Sequence, residues 1–415
     1  MTYLPRSIDR HLDFFTEFAA AVCVDGARAT GKTETCSRRA DFSYFLDSPS
    51  DRAPLEADID LTSLPEGTIL LDEWQNLPQV WNSVRRRVDS GEKPGRFLIT
   101  GSASPLPDNG THTGAGRIYS VHMRPMGLHE RIFETPTVAL RQLQQGGAQI
   151  SGSTGKTIGD YCQEIAGSGF PALIEAPWEW RMEFLDSYLT RIVDRDLPSL
   201  GESLRSPETF HRWMRAYAAA TSTTTSYSKI INSTSGSDGA QLSRETNRRF
   251  RDLLQRIWVL DPLPAWHSGR NPLKEVTQTP KHHLVDPALA MRLLDLQGRD
   301  LLTPRGSHML GPMFEALATL TVRAAATATG SKVRHLRTHG GRNEVDLVVT
   351  DKEGYHVGLE VKSANFVEDK DVTQLLWFKN EVGEDVRDVV VIYSGAHAYR
   401  RQDGVACIPL GLLGE

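Results

Sequence analysis

No stretch of the 415 residues approaches the roughly 20 consecutive apolar positions that span a bilayer, so a helical membrane protein is not expected. The first residues, Met1-Thr2-Tyr3-Leu4-Pro5-Arg6, lack the apolar core of a signal peptide. Cysteine is scarce. Cys23, Cys36, Cys162 and Cys407 are scattered, with spacings that make neither a metal pattern nor a disulfide framework. A reducing cytoplasm is the expected setting. An excess of positive charge is also missing. The net charge is −5, which argues against a global basic field for constitutive nucleic-acid binding and confines any such contact to a local patch. What is present is an ordinary globular composition, 39% hydrophobic and 24% charged, over a length that suits two or three domains.

One stretch organises the rest. Gly26-Ala27-Arg28-Ala29-Thr30-Gly31-Lys32-Thr33 reads G-x-x-x-x-G-K-T, the phosphate-binding loop of nucleoside triphosphatases. Its glycines let backbone N–H groups turn toward a polyphosphate. Gly26, Ala29, Thr30 and Gly31 would line the ATP phosphates, Lys32 would reach the β- and γ-phosphates, and the Thr33 hydroxyl would ligate Mg²⁺. The loop follows an apolar run, Phe18 to Val24, suited to a buried strand, and a polar helix-like segment begins at Lys32.

A second motif lies roughly 40 residues on. Ile69-Leu70-Leu71-Asp72-Glu73 is three apolar residues followed by two acids, which suits a buried parallel strand with its carboxyl end at a ligand. Asp72 would hold the Mg²⁺ and Glu73 would orient and deprotonate the attacking water. Arg96 to Ser102 reads as a further strand, expected beside the phosphate strand, with Thr100 or Ser102 facing the γ-phosphate or the water. Gly116 to Met126 reads as a fifth strand, with Arg117 at its start and Arg124 near its end. Arg117 is the candidate phosphate-sensing guanidinium, acting in its own chain or in a neighbouring subunit of a homo-oligomer; a solvated or paired arginine is the alternative.

These residues, with Arg124-Pro125-Met126-Gly127-Leu128-His129-Glu130, make the chain resemble the prokaryotic AAA-type ATPases whose C-terminal part is known as domain of unknown function 4143. The resemblance implies an N-terminal AAA-type P-loop domain using ATP and Mg²⁺. It departs from the usual AAA pattern after Glu130, where no four-helix lid is legible.

Residues 134–157, rich in Gln, Gly, Ser and Thr, read as a linker. Helices are expected at Ile158 to Ala166 and Phe210 to Ala220, with a turn at Gly167 to Leu173 and one short element at Tyr227 to Ile231; the resemblance implies a long helix after that turn, at about Trp178 to Asp194. Asp194-Arg195-Asp196 reads as a surface ion-pair cluster. Ser243 to Ile257 reads as a capped amphipathic helix. Phe250, Leu253 and Ile257 share one face; Arg244, Arg248 and Arg251 share the other. With Trp258-Val259-Leu260 after it, the order resembles a winged helix whose arginine stripe contacts duplex DNA. A solvated helix, or a winged helix serving only as a spacer, is the alternative.

Pro280 to Pro287 reads as a short strand leading into a helix at Ala288 to Leu296, and Gly311 opens another that runs to about Ala326. Arg342 to Val349 and Tyr355 to Lys362 then alternate as two strands of a hairpin turning about Glu353-Gly354. That register sets Asp346 opposite Glu360, with Lys362 on the same face. The set resembles the D…E-x-K constellation of restriction-endonuclease-like nucleases, in which Asp346 and Glu360 would ligate Mg²⁺ and Lys362 would activate water. Glu315 and Gln374 match further positions of that pattern. An edge ion pair between Glu344 and Lys362 is the alternative.

The expected architecture is therefore α/β. It comprises a P-loop NTPase domain with a parallel sheet (1–133), a linker with a helical and winged-helix middle (134–300), and a restriction-endonuclease-like α/β domain (301–415). The expected activity is Mg²⁺-dependent ATP hydrolysis, coupled either to a DNA-directed nuclease-like domain or to an ATP-switched module that binds DNA or a partner protein.

Overall fold

A computed structural model describes residues 3–103, 114–199, 204, 206–234, 242–267 and 279–415. Residues 235–241, at the end of the Ser/Thr-rich stretch, lie outside the described residues. The chain forms two compact units. One comprises Pro5–Pro125 with Arg256–Trp258; the other comprises Met1–Leu4, Met126–Gln255 and Val259–Glu415.

The first unit is built on a five-stranded parallel sheet of β1 (Ala21–Asp25), β2 (Phe42–Phe45), β3 (Ile69–Asp72), β4 (Phe97–Gly101) and β5 (Ile118–His122). The strand order is β2-β3-β4-β1-β5. Alternation decides which residues face which layer. Ala21, Cys23, Ile69, Leu71, Phe97 and Ile99 pack with Val80, Trp81 and Val84 of the helix Gln79–Asp89. Val22, Val24, Leu70 and Leu98 pack on the opposite face with Ile8 and Leu12 of the helix Ser7–Thr16. Both faces are covered, so the central strands read as unbroken apolar runs. The edge strand β2 was not expected, because its residues are only partly covered and carry no such run.

The second unit contains the residues expected to form both the middle and the C-terminal parts. Its strands are β6 (Val138–Ala139), β7 (Gly152–Ser153), β8 (Lys332–Arg337), β9 (Glu344–Thr350), β10 (His356–Lys362), β11 (Val386–Tyr393), β12 (His397–Arg400), β13 (Ala406–Pro409) and β14 (Leu413–Gly414). Seven of them form a mixed sheet in the order β7-β12-β13-β11-β10-β9-β8, and β6 pairs with β14. The helix Asp369–Val382 buries Val372, Leu375 and Phe378 against Val348, Val389 and Val391 of this sheet.

Residues 134–157 are not a free linker. Val138, Leu140 and Leu143 are buried, β6 and β7 are both paired, and a helix spans Leu140–Gln145. Three apolar anchors fasten a segment whose average composition is polar. The helix Trp178–Arg191 continues through a π-helical turn, Ile192–Asp196, that carries Asp194 and Arg195 on the surface but buries Asp196, so the expected surface cluster keeps only two of its three residues.

The helices Pro207–Ala219, Tyr227–Ser233 and Arg244–Arg256 are followed by two antiparallel bridges, Leu260 to Leu284 and Leu263 to Lys281. Ala265 then bridges His335 of β8. The segment 260–265 thus relays residue 281 toward the β8–β9–β10 sheet edge.

Asp286, fully buried, ties the turn at Ser168 and Gly169 to the start of the helix Pro287–Leu293. Its carboxylate accepts from Ser168 Oγ (2.9 Å), Gly169 N (2.7 Å) and Ala288 N (2.8 Å). Each buried donor left unsatisfied costs about 1–3 kcal/mol. Asp286→Ala is therefore expected to destabilise the fold by about 3 kcal/mol or more in chemical denaturation. The surface change Asp194→Ala should stay within about 0.5 kcal/mol.

Candidate functional site

The phosphate loop leaves β1 at Asp25, and its backbone takes the left-handed region at Ala29 (φ 64°) and Gly31 (φ 96°). At Gly26 a side chain has no room: a Cβ would lie 2.2 Å from the Met123 carbonyl oxygen. Lys32 is buried and folds back over the loop, donating to the carbonyls of Gly26 (2.9 Å) and Ala27 (2.8 Å). Burial lowers the pKa of its ammonium, opposed by the charges of Glu73, Asp72 and Asp25. Arg6, which the sequence did not single out, braces the loop from outside. Its guanidinium donates to the carbonyls of Thr30 (2.8 Å) and Arg124 (2.7 Å).

Strand order brings the second motif to this loop. β4 lies between β1 and β3, and its carboxyl end carries Thr100 and, one residue beyond, Ser102. Two residues apart, these side chains share a face. Thr100 Oγ1 donates to Asp72 Oδ1, and Ser102 Oγ donates to Glu73 Oε2 at 2.9 Å. Both acids are therefore drawn to the same side. A continuing strand would have sent them to opposite faces; Glu73 avoids this by adopting the left-handed region (φ 53°, ψ 50°).

Asp72 also accepts from Thr33 Oγ1, at 2.9 and 3.1 Å to its two oxygens. Burial raises the Asp72 carboxyl pKa, and the two threonine hydrogen bonds oppose that rise. Gln75 Nε2 donates to Glu73 Oε2 as well, and Glu73 Oε1 has no hydrogen-bond partner among the described residues. Ser102 and Gln75 thus orient Glu73, and Thr100 orients Asp72.

Arg117 is not brought to this site. β1 and β5 run parallel with Ala21 opposite Ile118 and Asp25 opposite His122. Arg117 therefore lies at the opposite end of the strand from the loop, about 20 Å away at 3.3 Å per residue. There it is exposed and paired with Asp89 at 2.8 Å. Arg124, at the other end of β5, lies on the loop side.

In the second unit the hairpin has the expected register. Leu359 pairs with Leu347, one step short of Glu360 and Asp346. Lys362 Nζ donates to Glu360 Oε1 (2.8 Å), and the Val361 N–H donates to Asp346 Oδ2 (3.0 Å). The metal site expected from Asp346 and Glu360 is not what forms. Lys281 Nζ stands among the carboxylates, 2.8 Å from Glu315 Oε1, 2.8 Å from Asp346 Oδ1 and 3.2 Å from Glu344 Oε1. Among the described residues no group of three His, Cys, Asp or Glu side chains is placed to hold a metal ion. The Glu344–Lys362 pair does not form either; Glu344 is taken by Lys281 and Arg337. Burial, reinforced by the Asp346 charge, pushes Glu315 up to about 8 and Glu360 up to about 7. Lys281 carried no sequence signal beyond lying in a short strand.

The arginine stripe is incomplete. Arg244 and Arg248 are exposed, but Arg251 is half-buried, lies over the Tyr227 ring (5.1 Å) and pairs with Asp252 (3.1 Å). Asp252 also reaches Arg248 at 3.4 Å. An aromatic ring and a carboxylate hold the third arginine off the face it shares by spacing.

Asp25, at the entry to the loop, has its pKa raised to about 6, chiefly by burial, against a hydrogen bond from the Cys23 thiol and the Lys32 charge. A carboxyl raised above its unfolded value contributes stability at low pH that is lost as pH rises through about 6. Asp25→Asn is therefore expected to raise the melting temperature more at pH 7.5 than at pH 5. Equal shifts at both pH values in thermal melts would contradict this assignment.

Comparison with known proteins agrees with the loop. Residues 19–132 match the family described as AAA domain, 158–300 match a domain of unknown function (DUF8612), and 310–413 match a second one (DUF4143). Over 402 residues the chain is 24% identical to the uncharacterized protein Rv2008c of Mycobacterium tuberculosis, covering 94% of this chain and 80% of that one. The uncharacterized protein Mb2031c of Mycobacterium bovis matches to the same extent. Among solved structures, the Walker-type ATPase PABY2304 of Pyrococcus abyssi aligns with a TM-score of 0.40 and 13% identity, over 69% of this chain and 94% of that one. The N-terminal unit carries an AAA domain, and a DUF4143 region closes the chain.

Proposed function

We propose that the protein binds ATP with Mg²⁺ and hydrolyses it, and that the nucleotide state sets how the second unit engages DNA or a partner protein. The observation that carries this reading is the condition of Lys32. Its buried ammonium is hydrogen-bonded only to neutral carbonyls, Gly26 and Ala27, with no carboxylate at ion-pair distance among the described residues. A buried cation of that kind calls for an anion, and the loop that holds it fits a polyphosphate.

Bound Mg·ATP would supply a polarised phosphoanhydride at this place. The backbone N–H groups of Gly26 to Thr33, with Lys32, would hold the phosphates. The Thr33 hydroxyl and the Asp72 carboxylate, already in contact, would hold the metal. Glu73, its Oε2 fixed by Ser102 and Gln75, would take the proton of the attacking water. Arg117 has no part within its own chain in this scheme.

For the second unit, docking without cleavage is the better-supported reading. Lys281 stands among the carboxylates that cleavage would need for metal. Arg244 and Arg248 leave a smaller basic face for contact with DNA. The nuclease reading keeps one observation in its favour, the grouping of Asp346, Glu360 and Lys362 on one hairpin.

Glu73→Gln is expected to bind ATP as wild type does and to hydrolyse it about 100-fold or more slowly, the usual worth of a general base. Lys32→Ala should fail to bind. An Lys32→Ala protein with wild-type affinity would overturn the site. In a nicking assay with Mg²⁺ or Mn²⁺, with and without ATP, wild type, Asp346→Ala and Lys362→Ala should leave DNA equally intact. Nicking by wild type that both variants lose would restore the nuclease reading.

A further inference from the structure

The carboxylates gathered beside the β9–β10 hairpin have a cation, and it belongs to the chain. Lys281 is 1% exposed, and its backbone is held by reciprocal hydrogen bonds with Leu263 (2.9 and 3.0 Å). Its Nζ lies where oxygens from two separate elements converge. Glu315 Oε1 comes from the helix Leu310–Thr329, and Asp346 Oδ1 comes from β9, each at 2.8 Å. Glu344 closes a third side at 3.2 Å. Oxygens around one point are also what a divalent cation requires, at about 2.0–2.6 Å. An ammonium and a metal ion cannot share that point.

The cluster retains an unanswered acceptor. Glu360 is 9% exposed and accepts from Lys362 at Oε1, while its Oε2 has no hydrogen-bond partner among the described residues. Four carboxylates (Glu315, Glu344, Asp346 and Glu360) face three cations (Lys281, Arg337 and Lys362). A buried carboxylate is tolerated only if neutralised by a cation or a proton. Lys281 supplies the largest share of that neutralisation.

We propose that Lys281 is a built-in replacement for a divalent cation in the carboxylate set Glu315, Glu344 and Asp346, excluding metal from it in the folded chain, and that removing the amine opens the set to a divalent cation. The inference does not depend on the ATP reading. The ammonium is a point charge with three donors, so it can satisfy several carboxylates at once without their moving. It cannot polarise a phosphodiester as a Lewis acid does. Lys281 comes from the segment that 260–265 relays to the sheet, so it also pins that segment to the hairpin.

Mn²⁺ binding to the full-length protein, followed by the paramagnetic resonance of free Mn²⁺, tests this. All proteins carry Asp72→Asn, so that metal at the phosphate loop does not register. With Lys281 intact, no Mn²⁺ binding that depends on Asp346 is expected. Lys281→Met, of similar length and uncharged, should take up one Mn²⁺ roughly tenfold or more tighter, and adding Asp346→Asn should abolish that binding. Lys281→Arg should exclude the metal as lysine does. Binding by the Lys281 protein that Asp346→Asn removes would overturn the proposal. So would a folded Lys281→Met protein, checked by circular dichroism, that binds no Mn²⁺. Should Lys281→Met not fold, the comparison of the Lys281 protein with and without Asp346→Asn still decides.

Discussion

A lysine ammonium taken out of water must find compensating charge or dipoles, and among the described residues this chain buries two, Lys32 and Lys281. Lys32 finds only the carbonyls of its own loop, with Asp25, Asp72 and Glu73 acting on it from a distance. Lys281 finds three carboxylates. The first is left with a capacity for anions, and the second is saturated. That difference separates a place where a phosphate chain can bind from one whose ammonium is already held by carboxylates. It follows from position: Lys32 ends a tight loop at the open end of a parallel sheet, and Lys281 lies in a bridged segment pressed against a sheet edge.

Around Lys32 the secondary structure does most of the placing. Strand β4 lies between the loop strand and the strand bearing the acids, and its Thr100 and Ser102 hold Asp72 and Glu73 on one side. The left-handed backbone at Glu73 makes this possible, at a local cost of about 1–2 kcal/mol for a residue with a Cβ. Strain of that size persists where the surrounding structure over-determines it, as apolar packing on both faces of this sheet does.

Much of this was legible from the order of residues. The loop, the strands at Ile69–Asp72 and Phe97–Gly101, and the placement of the latter beside β1 all follow from apolar runs ending in polar residues. The hairpin register followed from one turn at Glu353-Gly354, because strand alternation leaves no freedom once the turn is fixed. Other features were not local. Arg117 is close in sequence to a strand that ends at the loop, but it stands at that strand's start, so strand direction moves it away. Arg251 has the spacing of the exposed stripe, yet Tyr227 and Asp252 withdraw it. The anchors Val138, Leu140 and Leu143 are diluted by polar neighbours. Lys281 reaches Asp346 across 65 residues through two bridges, and no periodicity reports such a contact.

Thr33 and Asp72 are placed to hold a divalent cation beside a bound nucleotide, whereas Lys281 closes the carboxylates around it to metal. Counting the Mn²⁺ ions bound by the wild-type chain at submillimolar concentration, with and without a non-hydrolysable ATP analogue, tests this most directly. One ion per chain is expected with the nucleotide, lost in Asp72→Asn and kept in Asp346→Asn. An ion that Asp346→Asn removes, with or without nucleotide, would contradict this.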